Sequence, residues 1–224
     1  MLALIGSGEY LPPMEPVDRY LLNQLPGPAR VVCLPTAAGT EGQARLKYWM
    51  DLGVEHFTQL GVQVEAVEIA TRAHAHEPRL VEPINLANFI YLSGGKPDYL
   101  YKTLEGTLAW EAIINVHQRG GVVAGCSAGA MIMGEGIMGM RGVSEGFGLL
   151  PGVMIMPHFD EISGWMVRTA RLFAGKRFTL VGIDGNTALV QEGETQKVVG
   201  IGGVTVFRKD GSQRYAGGEV VELL

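Results

Sequence analysis

Residues 121–133 read GVVAGCSAGAMIM: a β-branched run, a polar pair between glycines, then a second apolar run. A run of this kind that stops at small residues and resumes with helix formers is a strand, a tight turn and a helix. Ser127 stands at the apex, with Gly125 and Gly129 two residues to either side. A nucleophile on such a turn sits on strained backbone, and glycines at those two positions let strand and helix approach closely. The Ala128 N–H then opens the helix, where an oxyanion is favoured. The competing reading of the same residues is a glycine-rich turn that packs tightly or holds an anion.

Working outward, short runs rich in Val, Ile and Leu recur with longer amphipathic segments between them. Strands are expected at Leu2–Ile5, Arg30–Leu34, Gln63–Val67, Asn88–Leu92, Gly121–Ala124, Val153–Met156 and Thr179–Gly182. Helices are expected at Thr40–Leu60, with Thr40 as N-cap, at Asp98–Gln118 with a break near Gly106, and at Ile162–Phe173. That alternation gives an α/β, flavodoxin-like fold: a mostly parallel sheet with helices on both faces. After residue 186 the texture changes to β-branched pairs separated by GE, GG and DG turns, an antiparallel meander. Residues 1–224 are read as one domain, with a core at 1–190 and the meander at 191–224 as its C-terminal extension.

Composition narrows the classes. The 224 residues hold 47% hydrophobic and 18% charged residues, which excludes a disordered or coiled-coil chain. Eighteen Lys and Arg against 23 Asp and Glu leave −5, with no basic block to follow a phosphate backbone, so nucleic acid is not an expected partner. The 32 glycines are about twice the usual ~7% and follow no G-X-Y period, which points to turns and close backbone approach. Two cysteines, Cys33 and Cys126, build no disulfide framework and fit a cytoplasmic location. MLALIGSGEYLPP lacks a basic leader region, and no apolar run reaches the ~18 residues of a membrane span.

Ligands of open parallel sheets sit beyond the carboxyl ends of the strands, here the loops GSGEY, PTAAGT, SGGKPD, GCSAGAM and MPHFDE. Ser127 needs a base, and His158, just after the strand VMIM and Pro157, is the histidine expected at that edge; its alternative is a capped loop histidine. Gly94-Gly95 follows the strand NFIYLS and offers a second oxyanion N–H, since glycine lets the backbone come close to a bound carbonyl. Cys126 sits one position before the apex and is read as a buried structural thiol. Gly6 and Gly8 form a GxG without the third glycine of a dinucleotide site. His74 and His76 lack a carboxylate to complete a metal site, and no metal or organic cofactor is expected. Lys96, Glu9, Arg141 and Arg168 can each meet a charged substrate end or simply be solvated.

GCSAGA, preceded by LSGG and followed by GFGLLPG and MPHF, resembles the serine peptidases that include cyanophycinase and aspartyl dipeptidase, from GSGE at residue 6 to GIDGNTALV ending at residue 190. The resemblance implies a fold related to class I glutamine amidotransferases, with Ser127 as nucleophile, His158 as base, and Gly95 and Ala128 as oxyanion donors. Two positions depart from the family pattern. Lys96 stands where the family has Asn after the glycine pair, and Gly185 where the family's acidic triad member, a Glu, would be. Loss of the orienting acid cost about 10⁴-fold in kcat in a serine protease. Asp160, two residues after His158, and Asp184, next to Gly185, are the candidate replacements; water or a backbone carbonyl is the third.

The expectation is a serine hydrolase of small, acidic or isopeptide-linked peptides, with Lys96 and Glu9 as substrate-binding candidates. A catalytically silent member that binds a small ligand, and an enzyme acting on a small amide, are the alternatives. A second copy of the chain is a candidate partner through the apolar tail.

Overall fold

A computed structural model of the chain describes residues 1–139 and 142–223. Its strands are β1 (Leu2–Ile5), β2 (Arg30–Leu34), β3 (Gln63–Ala66), β4 (Phe89–Leu92), β5 (Val122–Cys126), β6 (Gly134–Gly139), β7 (Gly142–Glu145), β8 (Leu150–Met156), β9 (Thr179–Ile183), β10 (Thr187–Glu192), β11 (Thr195–Gly200), β12 (Gly203–Arg208), β13 (Gly211–Ala216) and β14 (Val220–Val221). Its helices are α1 (Glu15–Leu22), α2 (Gln43–Gln59), α3 (Pro78–Leu86), α4 (Pro97–Leu104), α5 (Leu108–Gln118), α6 (Ala128–Met131) and α7 (Gly164–Ala174).

A strand covered on both faces is apolar at every position, and its alternate side chains go to opposite cores. β1 sends Leu2 and Leu4 to one core and Ala3 and Ile5 to the other; β2 and β4 divide in the same way. These strands belong to an eight-stranded sheet of order β14-β11-β10-β1-β5-β4-β2-β3, parallel from β1 to β3 and antiparallel through β10, β11 and β14. Val81 and Ile84 of α3, Leu100 of α4 and Ile113 of α5 cover one face, and Val17 and Leu21 of α1 with Phe57 of α2 cover the other.

The remaining strands form a six-stranded sheet of order β13-β12-β9-β8-β6-β7. In β8, Val153 and Ile155 face the core shared with the first sheet, whereas Met154 and Met156 pack with Ala170 and Ala174 of α7. The chain therefore has the α/β class with helices on both sides, but its strands are divided between two sheets where the sequence pattern suggested one. The meander divides too: β10, β11 and β14 extend the first sheet, while β12 and β13 extend the second. The crossing is made at Gly200, whose φ of 129° and whose approach to the Asn186 carbonyl, 2.4 Å from where a Cβ would lie, only glycine allows. β6, GEGIMG, is the link that the sequence hid, because three glycines in six residues weaken any strand signal.

Element ends move by a few residues from expectation. α2 starts at Gln43 with Gly42 as N-cap, and not at Thr40, whose hydroxyl instead accepts from Lys96 Nζ at 2.8 Å. The break near Gly106 is real: Gly106 has φ 61°, and the Thr107 hydroxyl caps α5 by accepting from Trp110 N at 3.3 Å. Among the described residues no helix is long and apolar enough to cross a membrane.

Candidate active site

β5 lies between β1 and β4, pairing Ile5 with Cys126 and Leu92 with Gly125, so the three loops that leave these strands converge. Ser127 has φ 51° and ψ −106°, and its N–H donates to the Ile5 carbonyl at 2.9 Å. A side chain at φ near 50° is strained, and the cost is met by close packing around it. A Cβ on Gly125 would lie 2.4 Å from the Gly129 backbone, and one on Gly129 2.5 Å from the Leu92 carbonyl oxygen. Both glycines are thus sterically required for the strand-to-helix crossing.

His158 comes from the other sheet. It follows β8 in the left-handed conformation, φ 52° and ψ 35°, and its N–H donates to the Gly6 carbonyl at 3.3 Å. A Cβ on Gly6 would lie 2.0 Å from the Asp184 carbonyl oxygen, so the two sheets close on each other at a residue without a side chain. The closure brings His158 Nε2 to 3.1 Å from Ser127 Oγ. With the ring proton on Nδ1, Nε2 is the acceptor that can take the hydroxyl proton.

On the other side of the ring, Nδ1 lies 3.8 Å from Glu161 Oε2. A short 3-10 turn, Phe159–Glu161, carries this carboxylate, and Phe159 packs where a Cβ on Gly182 would otherwise be, 2.4 Å away. At 3.8 Å the contact is too long for a hydrogen bond and is a charge pair only when the ring is protonated, and Glu161 is 69% exposed. Asp160 and Asp184 are placed elsewhere. Asp160 Oδ1 accepts from the Gly185 N–H at 2.7 Å, and a side chain on Gly185 would begin 3.4 Å from Asp160 Oδ2. Asp160 therefore fills the space beside the glycine that stands at the family's acidic position. Asp184 is buried against the Arg214 guanidinium and accepts from Gly203 N at 2.9 Å, and it raises the Arg214 pKa. Glu161 was missed in the sequence because its reach depends on the tight turn that puts residues i and i+3 on one side.

Gly95 has φ 144°, and a Cβ there would lie 2.6 Å from the Ala37 backbone. Among the described residues no acceptor takes the N–H of Gly95 or of Ala128. Gly95 is exposed, whereas Ala128 is buried beneath the Ser127 turn. α6 has only four residues, so its contribution is the N–H itself and not a long helix dipole. Beside Gly95 opens a cleft of about 690 Å³ lined by Lys96, Pro97, Asp98, Tyr99, Lys102, Met138 and Met166, two amines and one carboxylate among them. Lys96 is exposed, and Arg168 is exposed on α7; Arg141 lies outside the described residues. Glu9, expected on the substrate, is 9% exposed and turned inward: it accepts from Gly94 N at 2.8 Å and from Cys126 Sγ at 2.9 Å.

The model of peptidase family S51 matches residues 2–199. The chain belongs to peptidase family S51. This S51 chain is similar to a crystallised peptidase from an acI-B1 Actinobacterium, at 34% identity over 99% of this chain and 96% of that one, with a TM-score of 0.91. A candidate peptidase E from Listeria monocytogenes EGD-e matches at 20% identity over 89% of this chain and 97% of that one, with a TM-score of 0.65, and shares the fold. No curated protein matches the chain. Membership supports a hydrolase of the peptidase class.

Cys126, next to Ser127, is fully buried, and burial together with the Glu9 carboxylate pushes its thiol pKa well above the ordinary value. A thiol with a raised pKa stays neutral and unreactive at pH 8. Iodoacetamide at pH 8 is expected to leave Cys126 unmodified in the native protein and to alkylate it in urea, read by peptide mass. Alkylation of the native protein at that residue would contradict the placement.

Proposed function

We propose that this S51 peptidase is a serine enzyme in which Ser127 Oγ attacks the scissile carbonyl and His158 Nε2 accepts its proton. The observation that carries the proposal is the 3.1 Å contact between those atoms across the seam of the two sheets. The imidazolium then returns the proton to the leaving amine, and water repeats the cycle on the acyl-enzyme. The N–H groups of Ala128 and Gly95, which have no acceptor among the described residues, supply the oxyanion contacts, in keeping with the positive φ of Ser127 and the glycine-only conformation at residue 95.

Glu161 is the acid of this arrangement. It offers Coulomb support to the imidazolium from 3.8 Å, with both side chains exposed, His158 by 43% and Glu161 by 69%. Near the aqueous limit that interaction is about 1 kcal/mol, much less than a buried triad acid supplies. The main chain that carries the ring is held by the His158 N–H on Gly6 and the Glu161 N–H on the His158 carbonyl at 3.0 Å. The reading is of a Ser-His dyad with weak carboxylate assistance.

The substrates proposed are small peptides with acidic or isopeptide character. Support comes from the Lys96 amine, exposed immediately after Gly95, and from Lys102 in the adjoining cleft. The engagement of Asp160 and Asp184 away from the ring favours one other reading, a silent S51 scaffold that binds a small ligand.

A fluorophosphonate is expected to label Ser127 in the native protein, and His158→Ala to slow labelling by at least about 10³-fold. An unlabelled native protein would leave the silent scaffold as the reading. Glu161→Gln is expected to lower kcat about fivefold, less at high salt, because the pair is exposed; a loss of 10³-fold or more would show a buried-type triad acid. Lys96→Ala is expected to raise KM for acidic peptides more than for neutral ones, and an equal effect on both would remove Lys96 from substrate recognition.

A further inference from the structure

The loop after β1 reaches under both halves of the site through one side chain. Glu9 is nine-tenths buried, and its carboxylate oxygens divide their bonds: Oε1 accepts from the Gly94 N–H at 2.8 Å and Oε2 from the Cys126 thiol at 2.9 Å. Gly94 precedes the proposed oxyanion donor Gly95, and Cys126 precedes the proposed nucleophile. A Cβ on Gly94 would lie 2.6 Å from Glu9 Oε1 and 3.3 Å from Ser127 Cβ, so the glycine turn packs between the carboxylate and the nucleophile. The next residue repeats the link, since the Tyr10 hydroxyl is 2.9 Å from Ser93 Oγ. On the far side of Gly95, Lys96 N donates to the Ala37 carbonyl at 3.0 Å. Gly95 thus hangs between two fixed amides, one of them fixed by Glu9.

We infer that Glu9 is a positioning residue for the oxyanion site: its buried carboxylate sets the distance between the Gly94-Gly95 turn and the Ser127 elbow. This rests on the Ser127 reading above and goes beyond it. A donor serves a developing oxyanion only if it is in place before the charge forms, and a shift of about 1 Å is enough to lose most of its effect. Glu9 touches neither substrate nor the reacting atoms; it acts through Gly94. Its removal should therefore reduce turnover and leave substrate affinity alone.

Glu9→Gln and Glu9→Met test this, being near-isosteric replacements that differ in whether Gly94 retains an acceptor. Glutamine can turn its carbonyl to the Gly94 N–H and its amide to the Cys126 sulfur, whereas methionine has no comparable acceptor. The methionine variant is expected to lose about 10²-fold in kcat, with KM within about twofold, and to react with fluorophosphonate more slowly by a similar factor. The glutamine variant is expected to lose less than about tenfold. A folded methionine variant that turns over and labels like the parent, or whose loss lies in KM, overturns the inference. Should the methionine variant fail to fold, amide hydrogen exchange at Gly94 in the unmodified protein decides the question. Protection comparable with β4 and β5 is expected, and exchange as fast as that of an open turn overturns the inference. Failure of the Ser127 reading is separate, since it appears as an unlabelled parent protein.

Discussion

The seam between the two sheets is bridged beside the site by the His158 N–H on the Gly6 carbonyl and by the parallel pairing of Ser7 with Gly185, at a place where Gly6 has no room for a methyl group. Everything proposed for the site follows from this closure. Ser127 is fixed to the first sheet through the Ile5 carbonyl, and His158 is fixed to the second by β8. Neither sheet alone contains both. The positive φ at Ser127 and at His158 belongs to the same constraint, because each residue must turn its side chain back across the seam. Strain of this kind persists only where the surroundings overdetermine it, and here the surroundings are Gly125 and Gly129 on one side and Phe159 seated on Gly182 on the other.

The electrostatics of the site are arranged in depth. Below the nucleophile, Glu9 is buried and fully engaged, and it joins the desolvation that keeps Cys126 protonated. Beside the ring, Glu161 is exposed and weakly coupled. Asp160 and Asp184 are nearby in sequence but are spent on structure, one on the Gly185 amide and one on Arg214 and Gly203. Three acidic residues close to the histidine in sequence or fold thus have three different duties, distinguished by what their oxygens touch.

How much of this the sequence disclosed depends on how locally each feature is encoded. The parallel strands β1, β2 and β4 stand within a residue of where the apolar runs put them, because a strand buried on both faces has no polar position to confuse its limits. The glycines of the elbow were also readable, and the clashes a Cβ would meet at 125 and 129 give the reason. The second sheet was not, since β6 carries three glycines and its pairing with β8 joins segments whose signals are separate in sequence. The acids were the least readable. Which carboxylate faces an imidazole depends on one left-handed residue and a three-residue turn, and spacing alone gave Asp160 and Asp184 where the structure turns Glu161 to the ring. Glu9 reads in the sequence as a substrate-facing or solvated group because a charged residue is usually exposed, and its burial comes from the convergence of loops.

The central claim, that the two sheets meet to form a Ser-His pair facing the amides of Ala128 and Gly95, is tested most directly by a crystal structure of the protein after reaction with a fluorophosphonate. The account predicts phosphorus on Ser127 Oγ, His158 Nε2 still within about 3 Å of that oxygen, and the phosphoryl oxygen about 3 Å from the N–H groups of both Ala128 and Gly95. An adduct on another residue, or a phosphoryl oxygen directed to solvent with both amides vacant, would contradict it.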